Sequence, residues 1–596
     1  MNKLMDLISE EVTKVFVQEG YDPKYGKVTV SNRPDLCEFQ CNGAMAAAKE
    51  YKCAPFMISD KIAEGLKDNE MFSSVESVKP GFLNIIVSPE FLAGFVSDMA
   101  KDERFGCEKV ENPKTIIVDY GGPNVAKPLH VGHLRSAVIG ESVKRMNRYM
   151  GHNVIGDVHL GDWGLQMGLI ITELRERKPE LVYFDENYEG EYPTEAPFTI
   201  SELEDIYPTA SKKSKEDEAF RQEALKATNE LQGGRRGYRA VLEHIMNVSV
   251  TDLKRNYENL NVEFDLWKGE SDAQPYVPAM VQKMKEEGFA YLSDGALVVD
   301  VSEESDTKEI PPCIILKSDG ASLYSTTDLA TLVMREEENH PDQVIYLADA
   351  RQSMHFTQVF RCAKKTGIVP EDMELLHIGF GTMNGKDGKP FKTRDGGVMR
   401  LETLISDINQ KMLEKILENQ KEKENLEMSQ EECENTAKMI ALAALKYGDL
   451  SNQASKDYVF DLERFISFEG NTGPYILYTI VRMKSILAKY EATGKSLADA
   501  KAAVLASESD SQKELMLSLA KFNGVMEGAV AEQAPHKICA YIYEIANAFN
   551  GFYHGTKILS EEDDRQQKSY IALLLLTKGI LETCIDVLGF SAPEKM

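Results

Sequence analysis

The stretch 115–151 constrains this chain more than any other. Thr115-Ile116-Ile117-Val118 is a short apolar run that predicts a buried strand. Asp119-Tyr120-Gly121-Gly122-Pro123-Asn124 predicts a sharp loop, and from His130 the spacing of Arg135, Val138, Val143 and Met146 predicts a helix that stops at Gly151. Strand, Gly/Pro loop and helix start, in that order, offer free backbone N–H groups and a positive dipole end to a phosphate. His130 and His133 share one face of such a helix, so both can reach the same bound anion. Gly132 between them removes a side chain where a flat base can lie against the backbone. Taken alone, a histidine pair like this is more often structural. As a zinc pair it lacks a third ligand at suitable spacing, and no metal site is expected.

The preceding loop changes that balance. Pro123-Asn124-Val125-Ala126-Lys127-Pro128-Leu129-His130-Val131-Gly132-His133 resembles the His-Ile-Gly-His signature of class I aminoacyl-tRNA synthetases, in the form carried by the arginyl family. Val154 to Gln166, a strand followed by Gly161-Asp162-Trp163-Gly164, is similar to the same family, and its distance from the first strand suits a parallel crossover unit.

A second cluster of chemistry lies further along. Cys313 to Tyr324 reads as a hairpin around Ser318-Asp319-Gly320. Tyr324 and Asp328 then open a helix on one face, and the strand from Val344 runs into a polar turn at Gln352. Asp at a helix start usually means a cap, but a guanidinium also needs a planar carboxylate partner in fixed geometry. Leu376 to Met383 reads as a strand with backbone close to something flat. The Gly/Lys-rich stretch 385–397 stands where class I enzymes hold the Lys-Met-Ser-Lys-Ser loop, and its Lys389-Pro390-Phe391-Lys392-Thr393-Arg394 resembles arginine enzymes that lack the standard form.

The resemblance implies a Rossmann-like parallel-sheet catalytic core over 111–400, with a polar helical insertion at about 172–240. It also implies a small α+β domain over 1–110 that meets tRNA, a helical stem over 401–468, and an all-helical anticodon-binding domain over 469–596. The implied reaction is arginine–tRNA ligation with ATP and Mg²⁺. His130, His133, Lys127, Lys392 and Arg394 would serve catalysis, and Asp119, Asn124, His130, Tyr324, Asp328 and Gln352 would bind arginine. His130, Gly132, His133, His377, Gly379 and Met383 would bind ATP. Tyr478 and Arg482, at i and i+4 after Gly470-Asn471-Thr472-Gly473-Pro474-Tyr475, would stack on and pair with tRNA bases. The commoner pattern of the family it resembles has Glu and two serines before Pro-Asn, where this chain has Asp119-Tyr120-Gly121-Gly122.

Composition adds limits. The 596 residues are 43% hydrophobic, which suits sizeable cores, and a prior of ~150 residues per domain suggests about four units. No apolar run is long enough to span a bilayer, the start lacks a signal or transit peptide, and nine scattered cysteines fit a reducing cytoplasm. A net charge of −28 does not exclude tRNA, because exposed charges screen beyond ~8 Å and a local basic groove survives that. The expected molecule is a cytoplasmic monomer with tRNA(Arg), L-arginine and ATP as partners and no membrane. The same core in a stand-alone adenylyltransferase, or in a non-catalytic RNA-binding relative, remains open at this point.

Overall fold

The computed structural model describes residues 1–390, 399–421 and 428–596. Packing divides them into two units: Met1–Lys109 with Ser467–Asp586 and Ser591–Met596, and Val110–Ile466 with Val587–Phe590.

The second unit is built on four parallel strands, each a short apolar run: β1 (Thr115–Asp119), β2 (Asn153–Asp157), β3 (Gln343–Asp349) and β4 (Glu374–Phe380). Parallel neighbours require crossovers, and the helices supply them: α1 (Leu134–Tyr149) between β1 and β2, α2 (Tyr324–Asn339) before β3, and α3 (Ser353–Lys365) between β3 and β4. The strand order is β4-β3-β1-β2, so the chain leaves β1 in one direction and returns to its other side. Such a reversal opens a crevice at the carboxyl ends of β1 and β3, where open parallel sheets place ligands. Ile117, Val344 and Tyr346 bury one sheet face against Leu329, Phe356, Val359 and Cys362 of α2 and α3.

Between β2 and α2 come the helices Leu165–Arg177, Ile200–Glu216, Glu218–Gln232 and Arg236–Asn259. The stretch expected as a polar insertion, about 172–240, falls among these helices, which carry a small core of their own around Leu169, Ala210, Phe220 and Ala224. Cys313–Leu316 is not half of a hairpin with the residues after it. Its partner is the preceding strand Ala296–Val299, and the Ser318 turn delivers the chain straight into α2. The reason lies at the helix start, where the hydroxyls of Ser325 and Thr326 donate to the carbonyls of Ile314 and Ile315 and so occupy the edge a second strand would need. Helix Leu401–Lys421 buries Leu404, Ile408, Met412 and Ile416, and it packs on Gln430–Leu450. The end of the charged helix expected to run to Glu427 lies outside the described residues.

The first unit joins an antiparallel sheet, in the order Val28–Val30, Phe39–Cys41, Phe82–Val87, Phe72–Val78, to helices Gly473–Ala492, Asp510–Leu519, Phe522–Ala531 and Pro535–Gly555. Lys513 links the two parts by donating to the Val87 carbonyl at 2.8 Å and pairing with Glu38. Among the described residues no helix is long and apolar enough to cross a membrane.

Candidate active site

The loop leaving β1 is laid alongside the loop leaving β2 by main-chain bonds. Gly122 N–H donates to Val158 O at 2.9 Å, Gly161 N–H to Pro123 O at 3.1 Å, and Val125 N–H to Gly161 O at 3.1 Å. Gly121 and Gly122 take φ of 88° and 43°, a region costly for a residue with Cβ, and Ala126 takes 62° with its N–H bonded to Ser249 Oγ at 3.0 Å. Asn124 is exposed at the crest of this pair, against Gly161.

The helix does not begin at His130. One 3₁₀ turn, Val131–His133, precedes α1, and the histidines cap it themselves. Gly132 N–H donates to His130 Nδ1 at 3.0 Å, and His130 N–H donates to His133 Nδ1 at 3.2 Å. Val131 N–H goes to Met399 O and His133 N–H to His130 O. The free backbone donors expected at this helix start are therefore already used. With Nδ1 accepting, each neutral ring carries its proton on Nε2, so the donors available to an anion are two imidazole N–H groups. The rings lie 4.0 Å apart between centroids. Burial, helped by the neighbouring His130, pushes His133 down to about 3, and burial with Lys127 lowers His130. Both are neutral donors at neutral pH. Gly132 makes room for a ring of the protein: a Cβ there would sit 2.7 Å from His130 Cε1. Lys127 places its ammonium 4.6 Å from the centroid of the Tyr207 ring.

Arg135 fastens the start of α1. Fully buried, it donates to Asp449 at 3.1 Å and to the carbonyls of Gly381 and Lys456 at 2.8 and 2.9 Å. Ser136 Oγ accepts from Gly121 N–H at 2.9 Å and donates to Leu347 O at 3.1 Å, which ties α1 to the ends of β1 and β3.

A second group of expected residues lies near the starts of α2 and α3. Asp328 Oδ2 lies 2.5 Å from His355 Nε2, a bond between α2 and α3, while Tyr324 on the same helix face is 76% exposed. Gln352 is exposed in the turn after β3. Asp119 was expected beside the substrate, but its Oδ2 accepts from Arg335 Nη2 at 2.6 Å, and the same nitrogen reaches Asp157 Oδ2 at 2.9 Å. Asp119 and Asp157 are partners in the β1–β2 register, so their side chains share a face, and Arg335 bridges them from α2. Burial opposes the Arg335 charge, but Asp119, Tyr346 and Asp157 outweigh it.

Of the residues expected around adenine, His377 stacks on Phe356 at 4.5 Å, and burial lowers its basicity. The small residue at 379 is explained inside the protein, since a Cβ there would meet Ala350 Cα at 3.0 Å. Met383 is buried and pairs with Tyr458. Lys392 and Arg394 lie outside the described residues.

Three family models match the chain: "tRNA synthetases class I (R), catalytic domain" over residues 96–462, "DALR anticodon binding domain" over 476–596, and "Arginyl tRNA synthetase N terminal domain" over 2–87. The chain belongs to the class I arginyl-tRNA synthetases. It is 77% identical over 597 residues to the arginine–tRNA ligase of Agathobacter rectalis and 57% identical over 596 residues to that of Alkaliphilus oremlandii, with all of each chain covered. The crystal structure of the arginyl-tRNA synthetase from Plasmodium falciparum has a TM-score of 0.79 at 25% identity, again with both chains fully covered.

Within this arginyl-tRNA synthetase fold, sequence reasoning missed one carboxylate. Glu270 opens the short helix Glu270–Ala273, next to Asp162 of the Gly-Asp-Trp-Gly loop. Asp162 is held by Ser271, whose N–H donates to Oδ1 at 2.9 Å and whose hydroxyl donates to Oδ2. Burial, then Asp162 and Asp328, push the Glu270 carboxyl up to about 8. The signal available was Gly269-Glu270-Ser271, which reads as an ordinary helix start. In the first unit, Arg482 lies 4.9 Å from the ring centroids of both Tyr478 and Tyr553, and Nη1 donates to Asn550 Oδ1 at 2.7 Å. Tyr478 is 43% exposed.

Proposed function

We propose that the chain is an arginine–tRNA ligase that works in two steps, as a cytoplasmic monomer. The carboxylate of arginine attacks the α-phosphorus of ATP, pyrophosphate leaves, and arginyl-adenylate forms. A terminal ribose hydroxyl of tRNA(Arg), the 2′-OH in class I enzymes, then takes the acyl group and AMP leaves.

One observation supports this most. Two neutral imidazoles follow the carboxyl end of β1, with Nδ1 occupied and Nε2–H to offer, and Asp328, near the start of α2, acts on the charge of Glu270. The nucleophile is already a carboxylate, so the first step needs positioning and charge stabilisation more than a base. His130 and His133 donate to phosphate oxygens as the α-phosphorus becomes five-coordinate. Lys127, with Lys392 and Arg394, neutralises the departing pyrophosphate. Mg²⁺ arrives with ATP, held mostly by phosphate and water. Gly132, His377, Gly379 and Met383 shape the nucleotide side. Asp328, joined by Glu270, takes the guanidinium, while Tyr324 covers it and Asn124 and Gln352 hold the backbone end. Tyr478 and Arg482 offer an aromatic–cation surface to unstacked tRNA bases, and residues 1–110 meet tRNA elsewhere.

Arginine-dependent ATP–pyrophosphate exchange, with and without tRNA, tests this directly. Exchange supported by arginine, followed by labelled arginine on tRNA, is the expected result. In the same assay Asp328→Asn should raise the KM for arginine about tenfold to a hundredfold, the cost of a hydrogen bond to a charged group. Exchange driven by another amino acid and not by arginine would overturn the reading.

A further inference from the structure

Val587–Phe590 pack with the catalytic unit, although the residues before and after them in sequence belong to the other one. They end the long helix Asp564–Leu588 and are anchored by their carbonyls. Val587 O accepts from Ser142 Oγ of α1 at 2.9 Å. Gly589 O accepts from Lys446 Nζ at 2.8 Å and from Asn261 Nδ2 at 3.0 Å. Gly589 has φ of 88°, and a Cβ on it would fall 2.5 Å from the Lys446 ammonium, so glycine alone lets the two meet.

From that anchor a run of polar contacts reaches the loop after β1. Arg145 Nη2 donates to Asn261 O at 3.4 Å, and Arg145 Nε donates to Glu141 Oε1 at 2.8 Å. The Tyr120 hydroxyl donates to Glu141 Oε2 at 2.6 Å. Tyr120 is the first residue beyond β1, and its ring fills the space beside Gly140, where a Cβ would stand 2.3 Å away. Lys446 itself is wholly buried and faces Glu141, Lys144 and Arg145; burial pushes it down to about 7. A cation buried in this company costs stability rather than adding to it.

We propose that Val587–Phe590 is a positioning strap for the loop 119–124, acting through Lys446, Asn261, Arg145, Glu141 and Tyr120. This rests on the reading of that loop as part of the arginine site.

The test is a double-mutant cycle on the full-length enzyme, read by pyrophosphate exchange and thermal unfolding. Lys446→Met should lower kcat/KM for arginine about tenfold or more, the scale of a small misplacement near reacting atoms. The KM for ATP should hold within about twofold and the unfolding midpoint should not fall, since a buried cation has been removed. Lys446→Gln, which keeps an N–H donor for Gly589, should recover most of the rate. Tyr120→Phe breaks the run at its other end and should cause the same arginine-specific loss, and the double variant should be no worse than Tyr120→Phe alone. Additive losses, equal losses for arginine and ATP, or lost stability with unchanged kinetics would each overturn the proposal. A wild-type enzyme that exchanges with a different amino acid would refute the arginine reading instead, and the cycle would then be read on that amino acid.

Discussion

Replacing His133 by Asn separates two jobs that one imidazole does. His133 Nδ1 accepts the His130 N–H at 3.2 Å and closes the turn before α1, while Nε2–H is left for the substrate. Asn puts an amide oxygen close to the Nδ1 position and nothing at Nε2. The cap survives, worth about 1 kcal/mol, and the donor is lost. A preorganised donor to developing oxyanion charge is typically worth about 2.7–4 kcal/mol, so kcat for exchange should fall roughly 10²–10³-fold. The arginine dissociation constant, assigned above to Asp328 and its neighbours, should stay within a few-fold. Gln, whose amide nitrogen reaches towards Nε2 but cannot cap, should recover part of kcat and lose the stability that Asn keeps. Calorimetry gives the binding term and denaturant unfolding the stability. A pH series adds a second check. The unfolded histidine takes a proton near its ordinary 6.5, whereas the folded one waits until about 3. Between those values the unfolded state binds more protons, so this contribution is fully present above about 6.5 and is lost as pH falls, by at most about 1.4 kcal/mol per unit. The Asn variant should lack that slope. An Asn variant that exchanges within about threefold of wild type would refute the donor role, whatever the stability data say.

Two further perturbations follow. Glu270 titrates near 8 in the free protein, and a guanidinium favours its charged form, so arginine should expel a proton at pH 7 and its affinity should climb, by at most about tenfold per unit, as pH rises from about 6 to 8. Calorimetry in buffers of different ionisation enthalpy reads the proton, Glu270→Gln should abolish both effects, and a pH-independent wild-type affinity would remove Glu270 from the pocket. Arg335→Met leaves Asp119 and Asp157 side by side without their bridge and should cost about 3–5 kcal/mol in denaturant unfolding; an unchanged midpoint would refute the stabilising role of the bridge.

The strand–loop–helix at 115–151 was legible because apolar runs and Gly/Pro breaks are local signals that packing rarely overrides. The acidic side was legible only in part. Asp328 sits at a helix start that can be seen in sequence, but Glu270 reaches it from beyond a helical insertion. In a chain with 96 acidic residues one more Glu carries no spacing signal. Arg335 was invisible for a related reason: an Arg four residues from a helix end reads as surface, and only the β1–β2 register brings two carboxylates to meet it. The helix start was placed one turn early because histidine is outside the usual set of caps, so the pair read as ligands and not as ligands that also cap. The Ser318 turn looked like a hairpin because its true strand partner precedes it and hydroxyls, not a second strand, close its edge.

The two loops that frame the crevice are joined backbone to backbone, so they form one body made of two distant pieces of sequence. Their conformational entropy is surrendered when the chain folds, and substrate meets a surface that needs no ordering. No side chain at 121 or 122 holds the joint, so those positions answer to backbone torsion, and a residue with Cβ at either would strain both loops at once.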